Sequence, residues 1–164
     1  MYWVTLIVFI IDQFTKWIIR LSIKTGDGIT IIPFLFNIIH SRNRGAAFGI
    51  FQNYSQYLTV ITFIAVFLIL YLFVTTPKND RLLRISYAMI LGGALGNLYD
   101  RIIYGYVTDL LDFHIGQYSW PTFNIADSSI SIAIAIIIYD AIQKERAHTN
   151  LIIKKELQSE NLPK

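Results

Sequence analysis

Apolar residues in this chain gather into four long runs separated by polar segments. The runs extend from Tyr2 to about Ile23, Tyr54 to Thr75, Leu83 to Tyr104 and Asn124 to Ile142. The second is the cleanest, with 22 residues and no charge. At ~1.5 Å per residue that is enough to cross the ~30 Å hydrocarbon layer of a bilayer. The pattern predicts an all-α integral membrane protein with four transmembrane helices over 2–23, 54–75, 83–104 and 124–142. A polar tail over 143–164, which reads as a solvated helix, completes a single membrane domain spanning 1–164. The first run lacks the positive leading segment and small-residue cleavage site of a secretory signal, so it reads as a retained helix. Between the first two runs, Gly26, Gly28 and Pro33 interrupt any helix. Ile29–Ile32 and Leu35–Ile39 are short β-branched-rich runs that predict strands. The second long connection, Gly105 to Phe123, places Phe113, Tyr118 and Trp120 where aromatic rings suit a membrane interface.

Composition agrees with the pattern. Hydrophobic residues make up 54% of the chain and charged residues 15%, and mean hydropathy is +0.49. Soluble domains average about 25% charged residues. The net charge of +3 comes from basic residues in loops and tail. That distribution suits membrane orientation rather than nucleic-acid binding, which needs a basic face. The chain has no cysteine, which excludes disulfides, thiol nucleophiles and thiolate metal sites.

Lys78, Arg81 and Arg84 lie in the turn between the second and third runs, and Lys144, Arg146, Lys154 and Lys155 follow the fourth. The positive-inside rule puts both segments in the cytoplasm. Four spans then bring Asp12, Lys16, Asn43, Asn97, Asp100, Arg101, Asp109, Asn124 and Asp127 toward the outer side. Ionisable groups at membrane depth are costly and usually functional. Asp12 and Lys16, at i and i+4, share a helix face and can pair, whether to neutralise each other or to support a site. Ala88, Gly92 and Gly96 form a row of small residues for close helix packing. Asn97, Asp100 and Arg101 follow on one face, where an Asp–Arg pair would tie helices together. Asn124 with Asp127 three residues on resembles a capping box. Asp109 alone reads as a solvated loop residue, with Asp112 as its local competitor.

Two aspartates close together in a low-dielectric site cannot both ionise easily, so one holds a proton that the other lacks. One then serves as base toward water and the other as acid toward the carbonyl or leaving amine, with no metal or cofactor required. Competing chemistries fit less well. His40, His114 and His148 are scattered and form no HExxH, no glycine-rich phosphate loop occurs, and no turn motif singles out a serine to partner Lys16. A transporter would place charges near the midplane and often carry a repeat, whereas here they crowd one side and no repeat is visible. A non-catalytic lipid-protein binding module would use the same groove.

Five ordered segments resemble one known family. They are Asp12-Gln13-x-x-Lys16; Asn43-x-Gly-Ala-Ala-Phe48; Gly92-Gly-Ala-Leu-Gly-Asn-Leu-x-Asp100-Arg101; Gly105-x-Val-x-Asp109; and Phe123-Asn-Ile-Ala-Asp127-Ser128. Together they resemble the lipoprotein signal peptidases, or signal peptidase II family, over about Phe9 to Ser131. The resemblance implies a multi-pass aspartic endopeptidase of the bacterial plasma membrane with its active site on the extracytoplasmic side. Its substrates would be diacylglyceryl-modified prolipoproteins, cut just before the lipidated cysteine. It also implies contact with membrane lipids, binding of the inhibitor globomycin at the aspartate pair, and no nucleic-acid partner. By motif position Asp109 and Asp127 correspond to the catalytic pair. Asn43, Asn97, Asp100, Arg101 and Asn124 match residues that line or brace the site, and Asp12 and Lys16 match a supporting pair. The family implies a small extracytoplasmic β-cradle in the first outer loop and a short gating element in the second. Thr108 and Leu110 depart from its usual aliphatic residue and Phe beside the first aspartate.

Overall fold

The computed structural model describes residues 1–45, 55–116 and 118–160. Ala46, Ala47 and Phe48 of the second motif, and the start of the second apolar run at Tyr54, lie outside the described residues. Four helices and a small antiparallel sheet make up the fold: α1 (Tyr2–Ser22), β1 (Gly28–Ile32), β2 (Phe36–Asn43), α2 (Ser55–Thr75), α3 (Arg81–Tyr104), β3 (Val107–Ile115), β4 (Tyr118–Ser119) and α4 (Ile125–Glu160). Among the described residues, two helical segments are long and apolar enough to cross a membrane, Ser55–Thr75 and Ile125–Lys154. Outward-facing side chains of α1 are also apolar, Trp3, Leu6, Phe14 and Leu21 among them.

Helices α1, α2 and α3 cover residues 2–22, 55–75 and 81–104, beside the expected 2–23, 54–75 and 83–104. The Asp80 side chain accepts the Leu83 N–H at the start of α3, and Gly105, at φ 74°, closes the helix in the left-handed conformation a glycine adopts without strain. The tail, which reads as a solvated helix, continues α4 without a break. Backbone helix continues past Ile142 to Glu160, because the polar sequence after it holds good helix formers and no proline or glycine.

Helix α3 is the centre of the bundle and packs on α1, α2 and α4. Its glycines explain how. A Cβ at Gly92 would sit 2.7 Å from the Thr5 carbonyl oxygen and 2.8 Å from Val8 Cβ, while one at Gly93 would lie 2.6 Å from the Ala126 carbonyl oxygen. The small-residue row therefore presses α3 against α1, and Gly93 presses it against α4. Thr5 Oγ1 seals the first contact by donating to the Ala88 carbonyl at 3.0 Å. Gly92→Ala should push these backbones apart at a cost of about 1–3 kcal/mol. Thermal unfolding in detergent checks this; an unchanged melting temperature would mean the helices do not approach so closely.

The sheet corrects one expectation. Its strand order is β1-β2-β3-β4, so the first connection supplies only half of it. The second connection, expected as a loop with a gating element, supplies the nine-residue β3, which pairs antiparallel with β2 (Ser41 opposite Asp109, Asn43 opposite Val107). Both connections thus meet at one end of the bundle. At the opposite end Lys144 of α4 bonds Asp80 of the α2–α3 turn at 2.5 Å.

Candidate functional site

The site forms where the sheet meets the helix ends. Strand β3 leaves the α3 cap at Gly105 and carries Asp109 in over the bundle, where it is 1% exposed. Helix α4 begins just below with Asp127 in its first turn. The expected capping box is present and reciprocal: the Asp127 N–H donates to Asn124 Oδ1 at 3.0 Å, and the Asn124 N–H donates to Asp127 Oδ2 at 3.3 Å. This leaves Asp127 Oδ1 free to accept from Asn97 Nδ2 at 2.8 Å. Capping and facing the site are thus one geometry, not alternatives.

Amides frame both carboxylates. Asn124 Nδ2 donates to Asp109 Oδ1 at 2.8 Å, and Asn43 Nδ2 donates to Asp109 Oδ2 at 3.0 Å. Asn97 and Asn124 are joined in turn, Asn124 Nδ2 to Asn97 Oδ1 at 3.2 Å. Among the described residues neither Asp109 nor Asp127 has an ion-pair partner within 4.0 Å. Both line one cavity of about 600 Å³ together with Asn43, Asn97, Arg101 and, on α4, Ser128 and Ile130. Burial pushes the Asp109 carboxyl up to about 7. The charge of Asp127 adds to that shift, and the bonds from Asn43 and Asn124 oppose it.

Behind the amides lies a buried ionic layer. Lys16 Nζ contacts Asp12 Oδ2 at 2.8 Å and Asp100 Oδ2 at 3.5 Å, with all three side chains fully buried. The same ammonium donates to Asn97 Oδ1 at 2.9 Å, which turns the Asn97 amide nitrogen toward Asp127. Asp12 Oδ1 accepts the Ala126 N–H at 2.9 Å, joining α1 to the start of α4. Asp100 does not pair with Arg101. Adjacent helical residues point to different sides. Asp100 faces α1, where it meets Lys16 and Arg20, and Arg101 faces the cavity. Sequence reasoning passed over Arg20, which lies one turn beyond Lys16 on the same face and could have been found from that spacing. Gln13 also joins this layer, donating to Asp100 Oδ1 at 3.3 Å.

Asp112 sits elsewhere. Three residues along a strand reverse the side-chain face. Accordingly, Asp112 accepts from Asn37 Nδ2 at 2.8 Å and from Ser119 Oγ at 3.2 Å, and it is absent from the lining of the cavity.

A family model described as signal peptidase (SPase) II matches residues 4–143. The lipoprotein signal peptidase of Alteromonas mediterranea is 39% identical over 142 residues, covering 84% of this chain and 78% of that protein. The lipoprotein signal peptidase of Syntrophus aciditrophicus is 40% identical over 145 residues, covering 85% and 90%. A solved structure described as a bacterial membrane enzyme superposes with a TM-score of 0.80 at 36% identity, covering 87% of each chain.

Proposed function

The chain belongs to the signal peptidase II family, and from that premise we propose that it is an aspartic endopeptidase that removes signal peptides from diacylglyceryl-modified prolipoproteins by cutting before the lipidated cysteine. The observation that carries this reading is the placement of Asp109 and Asp127, from different elements, on the wall of one cavity with amide donors on each. With its proton retained up to about pH 7, Asp109 is the acid. Asp127 is the base: it takes a proton from water as the water oxygen adds to the scissile carbonyl carbon, and Asp109 hydrogen-bonds the carbonyl oxygen. Collapse breaks the C–N bond, a proton passes to the leaving amine, and the signal peptide departs as a carboxylic acid. Asn43, Asn97 and Asn124 hold the two carboxylates in place, Arg101 offers a cation to the substrate backbone, and Asp12, Lys16 and Asp100 support the amides from behind.

The same reading makes all four helices membrane-spanning, in a bacterial plasma membrane. From Ile125 to Lys144, α4 rises about 28 Å at ~1.5 Å per residue, close to the hydrocarbon thickness. Lys78, Arg81 and Arg84 cluster at the end opposite the sheet, so the positive-inside rule directs the sheet and the aspartates outward. A diacylglyceryl group buries itself at ~0.8 kcal/mol per CH₂ and thereby delivers the adjacent peptide bond to a site at the membrane edge. Globomycin, the family inhibitor, would occupy the same cavity.

The test is cleavage by purified protein of one precursor with and without its diacylglyceryl group. Only the lipidated precursor should be cut, with the product beginning at the modified cysteine. Equal cutting of both, or cutting at another bond, would remove the support for this substrate class.

A further inference from the structure

Thr108, the residue before Asp109, has both its N–H and its hydroxyl bonded to helices. It is fully buried. Its N–H donates to Asp100 Oδ2 of α3 at 2.9 Å. Its Oγ1 accepts from Arg20 Nη1 of α1 at 3.0 Å. Its carbonyl accepts from Asn124 Nδ2, at the head of α4, at 3.5 Å. Helices α1 and α3 therefore hold this residue of β3, with Asn124 at the head of α4 at the edge of hydrogen-bond range. Arg20 is itself fixed on both sides, stacked 4.5 Å over the Tyr104 ring and 3.4 Å from Asp100 Oδ1. The Asp109 and Asp127 carboxylates come from a strand and a helix start, which Leu110 and Leu111 join by donating their N–H groups to the Phe123 carbonyl at 3.0 and 2.9 Å. Beyond that link, the angle at which β3 delivers Asp109 depends on how the strand is pinned to α1 and α3.

We propose that Thr108 and Arg20 form a positioning clamp that sets Asp109 against Asp127. The proposal rests on the assignment of Asp109 to the chemistry. Neither residue lines the cavity that holds Asp109 and Asp127. The effect passes through the backbone: the Arg20–Thr108 bond fixes the side chain, and the side chain fixes the peptide plane from which Asp109 projects. Valine at 108 would keep the volume and both backbone bonds but would leave the guanidinium facing a methyl group.

The experiment is a double-mutant cycle on purified full-length protein with the lipidated precursor, comparing wild type, Thr108→Val, Arg20→Met and the double variant, with Thr108→Ser alongside. Thr108→Val should lower kcat about 10-fold, because small misplacements of a reacting group are costly, and should leave KM within about twofold. Thr108→Ser, which restores the acceptor oxygen, should recover most of that loss. The double variant should be no slower than the slower single variant, as expected for residues acting as one unit. Serine as slow as valine, a loss confined to KM, or effects that multiply in the double variant would each overturn the clamp. Wild-type cleavage and the behaviour of Asp109→Asn test the underlying assignment separately. If wild type fails to cut, or Asp109→Asn still cuts, that assignment fails, whatever the cycle shows.

Discussion

Asp109→Asn and Asp127→Asn are each expected to bind the lipidated precursor and to cut it at least ~100-fold more slowly than wild type, the lower scale of general acid–base catalysis. Asparagine keeps the size of the side chain and some of its hydrogen bonds but cannot carry a proton between water and the leaving amine. Binding should persist, since the cavity walls at Asn43 and Ile130 are unaltered. Asp112→Asn is the matched control. It removes an equally acidic group three residues from Asp109, on the strand face that bonds Asn37 and Ser119. It should retain most activity. An inactive Asp112→Asn beside an active Asp109→Asn would show that the pair is misassigned by three residues.

Lys16→Met is expected to destabilise the protein by about 3–5 kcal/mol, the usual cost of removing one partner from a buried ion pair. The ammonium serves two fully buried carboxylates, at 2.8 Å to Asp12 and 3.5 Å to Asp100. Its loss leaves Arg20, 3.4 Å from Asp100, as the remaining cation of the layer. It also frees the Asn97 amide, whose oxygen Lys16 holds at 2.9 Å. Activity should fall along with stability. Replacing Asp12 by Leu in the same chain should recover part of the stability, because the uncompensated carboxylate is then gone. Thermal unfolding in detergent reads both variants. A Lys16→Met protein as stable as wild type would show that the layer is hydrated and contributes little.

Much of this arrangement was legible along the chain because its signals are local. Apolar runs ending at Gly105 or Thr76-Pro77 gave helix bounds, the i, i+4 spacing of Asp12 and Lys16 gave their contact, and Asn124 with Asp127 gave the cap. What stayed hidden depends on partners distant in sequence. Strand β3 reads poorly because Val107, Thr108, Asp109 and Leu110 are all buried, so the alternation that marks a half-buried strand is missing at its start. Its partner is β2, more than sixty residues earlier. Asp100 was expected beside Arg101, whereas its cations stand on α1, some eighty residues away. The hydroxyl of Thr108 reads as a departure from the family pattern until Arg20 is seen against it.

A carboxyl titration tests most directly whether Asp109 and Asp127 behave as one proton-sharing pair. Infrared difference spectra between wild type and Asp109→Asn isolate the protonated carboxyl band of Asp109. That band should vanish as pH rises through about 7. Cleavage should fall over the same range, because Asp109 then has no proton to give. In Asp127→Asn the neighbouring charge is gone, so the Asp109 midpoint should move down while burial keeps it above the ordinary carboxylate value. An Asp109 band that titrates in the ordinary carboxylate range, or a midpoint that Asp127→Asn leaves in place, would contradict the pair.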